Sequence, residues 1–78
     1  TSGTVADVKL IFTHALLCGA SAIICVHNHP SGCLVPSEAD HFITKKIKDS
    51  GKMLDIELLD HLILTSKGYY SFAEEGRI

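Results

Sequence analysis

Apolar side chains recur at Val8, Ile11, Phe12, Ala15 and Leu16. Positions three and four apart share one helix face, so this stretch predicts an amphipathic helix. Thr4 and Asp7 precede it with the spacing of a capping box, in which a hydroxyl accepts a backbone N–H and a carboxylate reaches back to the cap. Gly19 offers a residue that tolerates positive φ just past the last turn. The pattern predicts a helix over residues 5–18.

The periodicity then changes. Ala22-Ile23-Ile24-Cys25-Val26 is a continuous apolar run rich in β-branched side chains. Such a run predicts a central strand covered on both faces. A polar loop over 27–36 follows. Ser37 and Asp40 make a second capping-box pair. Phe42, Ile43, Lys46 and Ile47 carry a helical pattern to about Ser50, where Gly51 is expected to stop it. Residues 56–59 and 61–65 read as strands, 66–68 as a turn and 69–72 as a third short strand, with the last two strands forming a hairpin.

The order helix, strand, helix, strands predicts an α/β fold, a mixed β-sheet flanked by helices. Only about four strands are available, which is few for a sheet that covers two helices. The chain also opens on a helix cap with no strand before it. Residues 1–78 are therefore expected to be one partial domain that begins inside a larger one.

Composition narrows the class. Of 78 residues, 46% are hydrophobic and 21% charged, which suits one small globular domain and not a disordered chain. The net charge of −2 argues against a general affinity for nucleic-acid phosphates. The longest mostly apolar stretch, 15–26, is broken by Gly19 and Ser21 and is shorter than the ~20 residues of a membrane span. No secretory or targeting segment is visible, so a cytoplasmic location is the default expectation. The three cysteines, Cys18, Cys25 and Cys33, have no paired spacing. Cys18 and Cys25 lie among apolar residues and are expected as buried thiols.

Chemistry concentrates between His27 and Asp40. Two histidines two apart lie on the same side of an extended chain, so both imidazoles can reach one ion. They sit where a buried strand ends, a common place for a site in an open α/β sheet. Asp40 falls in the first turn of the second helix, where the helix dipole favours a carboxylate. Pro30, Gly32 and Pro36 can fold the loop so that this helix start faces the histidines. His27, His29 and Asp40 would make a three-ligand set for one zinc ion with a position left open for water, the mark of a catalytic and not a structural zinc. Ser37 could cap the helix and also donate to an oxyanion.

Read without that context, His-x-His is a common pair, and Ser37 with Asp40 can be a capping box alone. Cys33 is a rival third ligand, because thiolate binds zinc well. His61 can be a hydrogen-bonded structural histidine or a group behind the ligands. His14 and His41 are expected to face solvent or a partner, and Lys45, Lys46 and Lys48 a solvated helix face. Tyr69, Tyr70 and Phe72 read as core or edge packing. Glu38, at the first helical position, is expected to point to solvent. A zinc deaminase would need His-x-Glu with Pro-Cys-x-x-Cys, and a zincin His-Glu-x-x-His; neither occurs.

The full pattern of His-x-His, seven residues, Ser, two residues, Asp resembles the JAMM motif of the JAB1/MPN metalloprotease superfamily. His27-Asn28-His29-Pro30-Ser31-Gly32, Pro36-Ser37, Asp40, Thr44, Leu59-Asp60-His61-Leu62-Ile63 and Tyr70-Ser71-Phe72 together resemble the RadC family. The resemblance implies a mixed sheet between helices in a cytidine-deaminase-like layout. It also implies zinc held by His27, His29 and Asp40, with Ser37 assisting. The implied activity is metal-dependent hydrolysis of a peptide or isopeptide bond in a protein substrate. In active JAMM enzymes the general base is a glutamate on an upstream strand, and no glutamate precedes Glu38 here. The resemblance thus implies that the N-terminal strands of the domain are missing from this sequence. The RadC family also carries a DNA-repair label, which gives the alternative of a non-catalytic module in DNA metabolism or protein binding. A third alternative is a scaffold without catalysis. A sheet edge left open by missing strands would favour an oligomer.

Overall fold

A computed structural model describes residues 7–78 of the chain. Within them the order is α1 (Val8–Leu17), β1 (Ala22–Asn28), α2 (Glu38–Met53), β2 (Glu57–Thr65) and β3 (Gly68–Ser71). The three strands form one sheet in the order β1-β2-β3. β1 pairs parallel with β2, and β2 antiparallel with β3. This is the expected α/β fold with a mixed sheet. Parallel neighbours need a long crossover, and α2 supplies it.

Helix α1 begins at Asp7, whose carboxylate accepts the Leu10 N–H at 3.1 Å. Asp7, expected inside the helix, is therefore itself the cap; Thr4, expected as the cap, lies outside the described residues. The C-terminal end follows the sequence. Gly19 takes φ +68°, and the Ala20 and Gly19 N–H groups close back on the carbonyls of Ala15 (2.9 Å) and Leu16 (3.2 Å). These are the two bonds of a Schellman end. Phe12 and Ala15 are the buried residues of α1, whereas Leu16, expected on the same face, is exposed. Cys18, expected as a buried thiol, is exposed at the helix cap.

Helix α2 carries the expected Ser37–Asp40 capping box. It runs past Ser50 to Met53, so Gly51 does not stop it. Gly51 is needed for a different reason. A Cβ there would lie 2.1 Å from the Ile56 carbonyl oxygen. The turn is made instead by Asp55, at φ +57°. The Ile56 N–H then donates to the Gly51 carbonyl at 2.8 Å. Phe42, expected within the apolar pattern, is exposed; the buried residues of this helix are Thr44, Ile47 and Gly51.

The two strands expected over 56–65 are one. Ile23 pairs with Leu58 and Ile24 with Asp60, which leaves Leu59 as a bulge. A bulge adds one residue and shifts the alternation of faces. Leu58, His61 and Ile63 are consequently all buried, although the first two are three apart. β1 is also not the covered central strand expected of it. Within the described sheet it is an edge, and its residues alternate: Ile23 and Cys25 pack on the core, whereas Ile24 and Val26 are more than half exposed.

The core joins Phe12 and Ala15 of α1, Ile47 of α2, and Ile56 and Leu58 around the start of β2. Ile63 and Phe72 are fully buried farther along β2 and just after β3. Each such large side chain stabilises the fold by about 1.5–3 kcal/mol relative to exposure. The face of β1 that meets this core is also the face from which His27 projects. No helix among the described residues is long and apolar enough to cross a membrane.

Candidate metal centre

His27 lies in the last turn of pleat of β1, on the same face as Ile23 and Cys25. His29 follows two residues on, where its backbone N–H still donates to the Leu64 carbonyl of β2 at 3.0 Å. The chain therefore stays extended through both histidines and presents both rings on one side. A tight turn follows, closed by the Gly32 N–H to the His29 carbonyl at 3.0 Å, with Gly32 at φ +82°. The loop then delivers the start of α2 to the rings.

Two imidazole nitrogens and the two oxygens of one carboxylate converge there. His27 Nε2 stands 3.1 Å from Asp40 Oδ1, and His29 Nε2 3.2 Å from Asp40 Oδ2. The two Nε2 atoms are 3.1 Å apart. Two donors each about 2.0–2.1 Å from a tetrahedral zinc stand about 3.3 Å apart. Each of these three pair distances is thus close to that of two donors on one such ion. His27, His29 and Asp40 are the group of the described residues whose ligand atoms meet in this way. Their side chains are mostly buried but reach solvent on one side.

Each of the three side chains is held from behind. Asp40 Oδ2 accepts the Ser37 backbone N–H at 2.7 Å, and Ser37 Oγ accepts the Asp40 N–H at 3.1 Å. Burial pushes the Asp40 carboxyl up, but the two bonds from Ser37 and the neighbouring His27 and His29 outweigh it, so the net shift is downward. The group is ionised at neutral pH, as a metal ligand must be. His29 Nδ1 meets the Cys33 carbonyl at 2.8 Å. His27 Nδ1 meets His61 Nε2 at 2.8 Å. His61 Nδ1 in turn lies 2.6 Å from Thr44 Oγ1, which is 2.7 Å from the Asp40 carbonyl. His61 is buried and stacks on Phe72 with ring centroids 4.7 Å apart. Burial first, then the adjacent His27, depress its pKa to about 4.

Ser37 is where the sequence placed it, as helix cap beside Asp40. Cys33 serves the site through its carbonyl; its thiol lies 3.9 Å from the Val35 carbonyl, away from the cluster. Glu38 is exposed, and Glu57 pairs with Ala22 at the far end of β1 from His27. His14 is exposed, but His41 is half-buried and packs edge-on against Phe72 at 5.4 Å. Tyr69 is exposed and donates its hydroxyl to Glu74 at 3.1 Å. The Thr44 hydroxyl and the Cys33 carbonyl were not legible as site groups. Thr44 sits four residues after Asp40, hence on the same helix face, and that spacing was the available signal.

The chain matches the family profile described as the RadC-like JAB domain over residues 1–77. This chain belongs to the RadC-like JAB domain family. Relatives agree. A UPF0758 protein of Flavobacterium johnsoniae is 56% identical over 75 residues, 96% of this chain and 33% of the relative. One from Thermotoga maritima is 46% identical over 68 residues, covering 87% of this chain and 31% of its own length. One from Haemophilus influenzae is 52% identical over 64 residues, 82% of this chain and 29% of its own. This RadC-like JAB chain thus spans about a third of the length of the relatives it matches.

Proposed function

We propose that His27, His29 and Asp40 hold one zinc ion, and that the domain belongs to a metal-dependent hydrolase acting on peptide or isopeptide bonds of a protein substrate. The observation that carries the reading is the convergence of two imidazole nitrogens, 3.1 Å apart, on one carboxylate, each nitrogen 3.1–3.2 Å from one of its oxygens. The donor set also fits: two His and one carboxylate leave an open position on a tetrahedral ion. When bound, zinc supplies Lewis acidity toward a carbonyl and lowers the pKa of water.

The chain's own residues have separable tasks. The Asp40 carboxylate contributes the negative charge, held at the N-terminus of α2 where the helix dipole favours it. Ser37 Oγ accepts the Asp40 N–H, which leaves its O–H proton free to be donated to an oxyanion forming beside the ligands. None of the four glutamates, Glu38, Glu57, Glu74 and Glu75, lies in the cluster, so in this reading these residues supply ligands and an oxyanion donor but no general base.

Metal analysis of purified protein grown with zinc tests the reading. About one zinc per chain is expected, lost in His27→Ala and Asp40→Ala and retained in Cys33→Ser. Less than about 0.1 zinc per chain in the parent protein would count decisively against it. Salt-sensitive DNA binding unaffected by His27→Ala, with no cleavage of amide substrates by the longer protein, would favour the DNA-metabolism alternative.

A further inference from the structure

Behind His27 runs a chain of contacts whose protons can be assigned by elimination. A threonine hydroxyl has one proton, and a neutral imidazole has one N–H. Thr44 Oγ1 touches two groups, the Asp40 carbonyl at 2.7 Å and His61 Nδ1 at 2.6 Å. The carbonyl only accepts, so the hydroxyl proton goes to it. His61 Nδ1 must then donate to Thr44 Oγ1, which leaves His61 Nε2 as an acceptor. The atom facing it, 2.8 Å away, is His27 Nδ1. His27 therefore carries its proton on Nδ1, and its Nε2 lone pair points at Asp40 and His29.

The reverse assignment is also self-consistent at one end, and location decides between the two. If Thr44 donated to His61, two oxygen acceptors would face each other at 2.7 Å between Thr44 and Asp40. Thr44 and His61 are each only 3% exposed, so no water relieves that mismatch. An unpaired buried acceptor costs about 1–3 kcal/mol. In the first assignment every buried contact pairs one proton with one lone pair. The unmatched lone pairs of His27, His29 and Asp40 gather at the solvent-reaching end, where a cation or water can meet them. His29 obeys the same rule by simpler means, since the Cys33 carbonyl takes its Nδ1 proton.

We propose that His61, oriented by Thr44, is a positioning residue that holds His27 in the Nδ1-protonated tautomer and so aims its Nε2 lone pair into the metal centre. The consequence for metal binding rests on the zinc reading above; the tautomer itself does not. A metal-ligating histidine ordinarily gives its second N–H to a carboxylate, carbonyl or water. Here the acceptor is a neutral histidine, made an acceptor by a hydroxyl committed to the backbone of a third ligand.

Two measurements on the full chain decide it. Nitrogen-15 NMR of the histidine rings, in zinc-free and zinc-loaded protein at neutral pH, should show the His61 proton on Nδ1 with Nε2 bare, and a proton on His27 Nδ1. His61 protonated on Nε2 in both states would overturn the proposal. Chelator competition should show zinc binding about 10- to 100-fold weaker in His61→Phe, which keeps the ring stacked on Phe72 and removes both nitrogens. His61→Gln, whose amide oxygen can take the same proton, should recover most of the loss. Parental affinity in His61→Phe would equally refute the positioning role. If His61→Phe fails to fold, Thr44→Val decides: it should shift His61 away from the Nδ1 tautomer and weaken zinc binding, and no change in either sinks the idea. If the parent chain binds no zinc, the zinc reading fails, and the zinc-free ring spectra alone judge the tautomer.

Discussion

His27 Nε2 and Asp40 Oδ1 stand 3.1 Å apart although one ends a strand and the other begins a helix. Asp40 holds two jobs at once, since its other oxygen accepts the Ser37 N–H of the capping box. The jobs separate by substitution. Asp40→Ala should lose zinc and also about 1 kcal/mol of stability from the cap. Asp40→Asn should lose most of the zinc affinity and little of the cap, because an amide oxygen still accepts. Denaturant melts of the zinc-free variants, beside zinc titrations, check both halves; parental stability in Asp40→Ala would show that the cap does not depend on this side chain.

Ser37 can be divided in the same way. Ser37→Asp should preserve the cap, because Asp is as good an N-cap as Ser, while removing the hydroxyl proton. Zinc content should survive, whereas hydrolysis by the longer protein should drop by about 10²–10³ if the hydroxyl donates to an oxyanion. Unchanged turnover in a well-folded Ser37→Asp protein would assign the residue to capping alone.

Gly51 is required by close approach and not by φ. Gly51→Ala would bring a methyl to 2.1 Å from the Ile56 carbonyl oxygen, and a backbone atom cannot swing aside as a side chain can. The expected loss is at least about 2 kcal/mol, seen as a lower denaturant midpoint. Asp55 makes the opposite case. It sits at φ +57° with a Cβ that this region disfavours, so Asp55→Gly should be neutral to stabilising by up to about 1 kcal/mol. A clear destabilisation by Asp55→Gly would mean that the carboxylate makes a contribution larger than the backbone strain it brings.

Acid should destabilise the zinc-free chain in two steps. The folded pKa of His61 is depressed to about 4, below the ordinary ~6.5. Between those values the unfolded chain binds a proton that the folded one does not, so stability falls as pH falls from about 6.5 to about 4, by about 3 kcal/mol in all. Asp40 and Asp60 have lowered pKa values; for Asp60, burial raises it but the bonds from Ser71, Ala73 and His61 prevail. Their contribution is present above the ordinary carboxylate range and is lost as pH falls through their lowered values. Denaturant midpoints across pH 7 to 3 should show both steps, and His61→Phe should flatten the upper one. An unchanged upper step in that variant would assign it to another group.

Much of the fold was legible along the chain. The first helix, the strand after it, the capping box at Ser37 and the closing hairpin follow from periodicity and end signals, which are local properties. The same holds for the candidate ligands: His27 and His29 share a side because the chain is extended, and Asp40 falls in a first helical turn because Ser37 caps it. Three features were not local. The bulge at Leu59 depends on register with β1, so one strand looked like two. Gly51 lies inside a helix because of where Ile56 returns, and Asp55 took the turn that a glycine was expected to make. Leu16 and Phe42 had helical spacing but face away from the core, because spacing names a face without saying what covers it.

The sequence by itself determined the capping box at Ser37, the class of fold and the three candidate donors, since these depend on residue type and short spacing. Only the tertiary structure decided that His27 and Asp40 close to 3.1 Å, that Cys33 offers its carbonyl in place of its thiol, and that His61 and Thr44 stand behind His27. Those relationships are set by the pairing of β1 with β2 and by the docking of α2, which bring together side chains up to 34 positions apart. Hydrogen bonding acts at about 3 Å, so it is fixed by the packed chain and cannot be read from order along it.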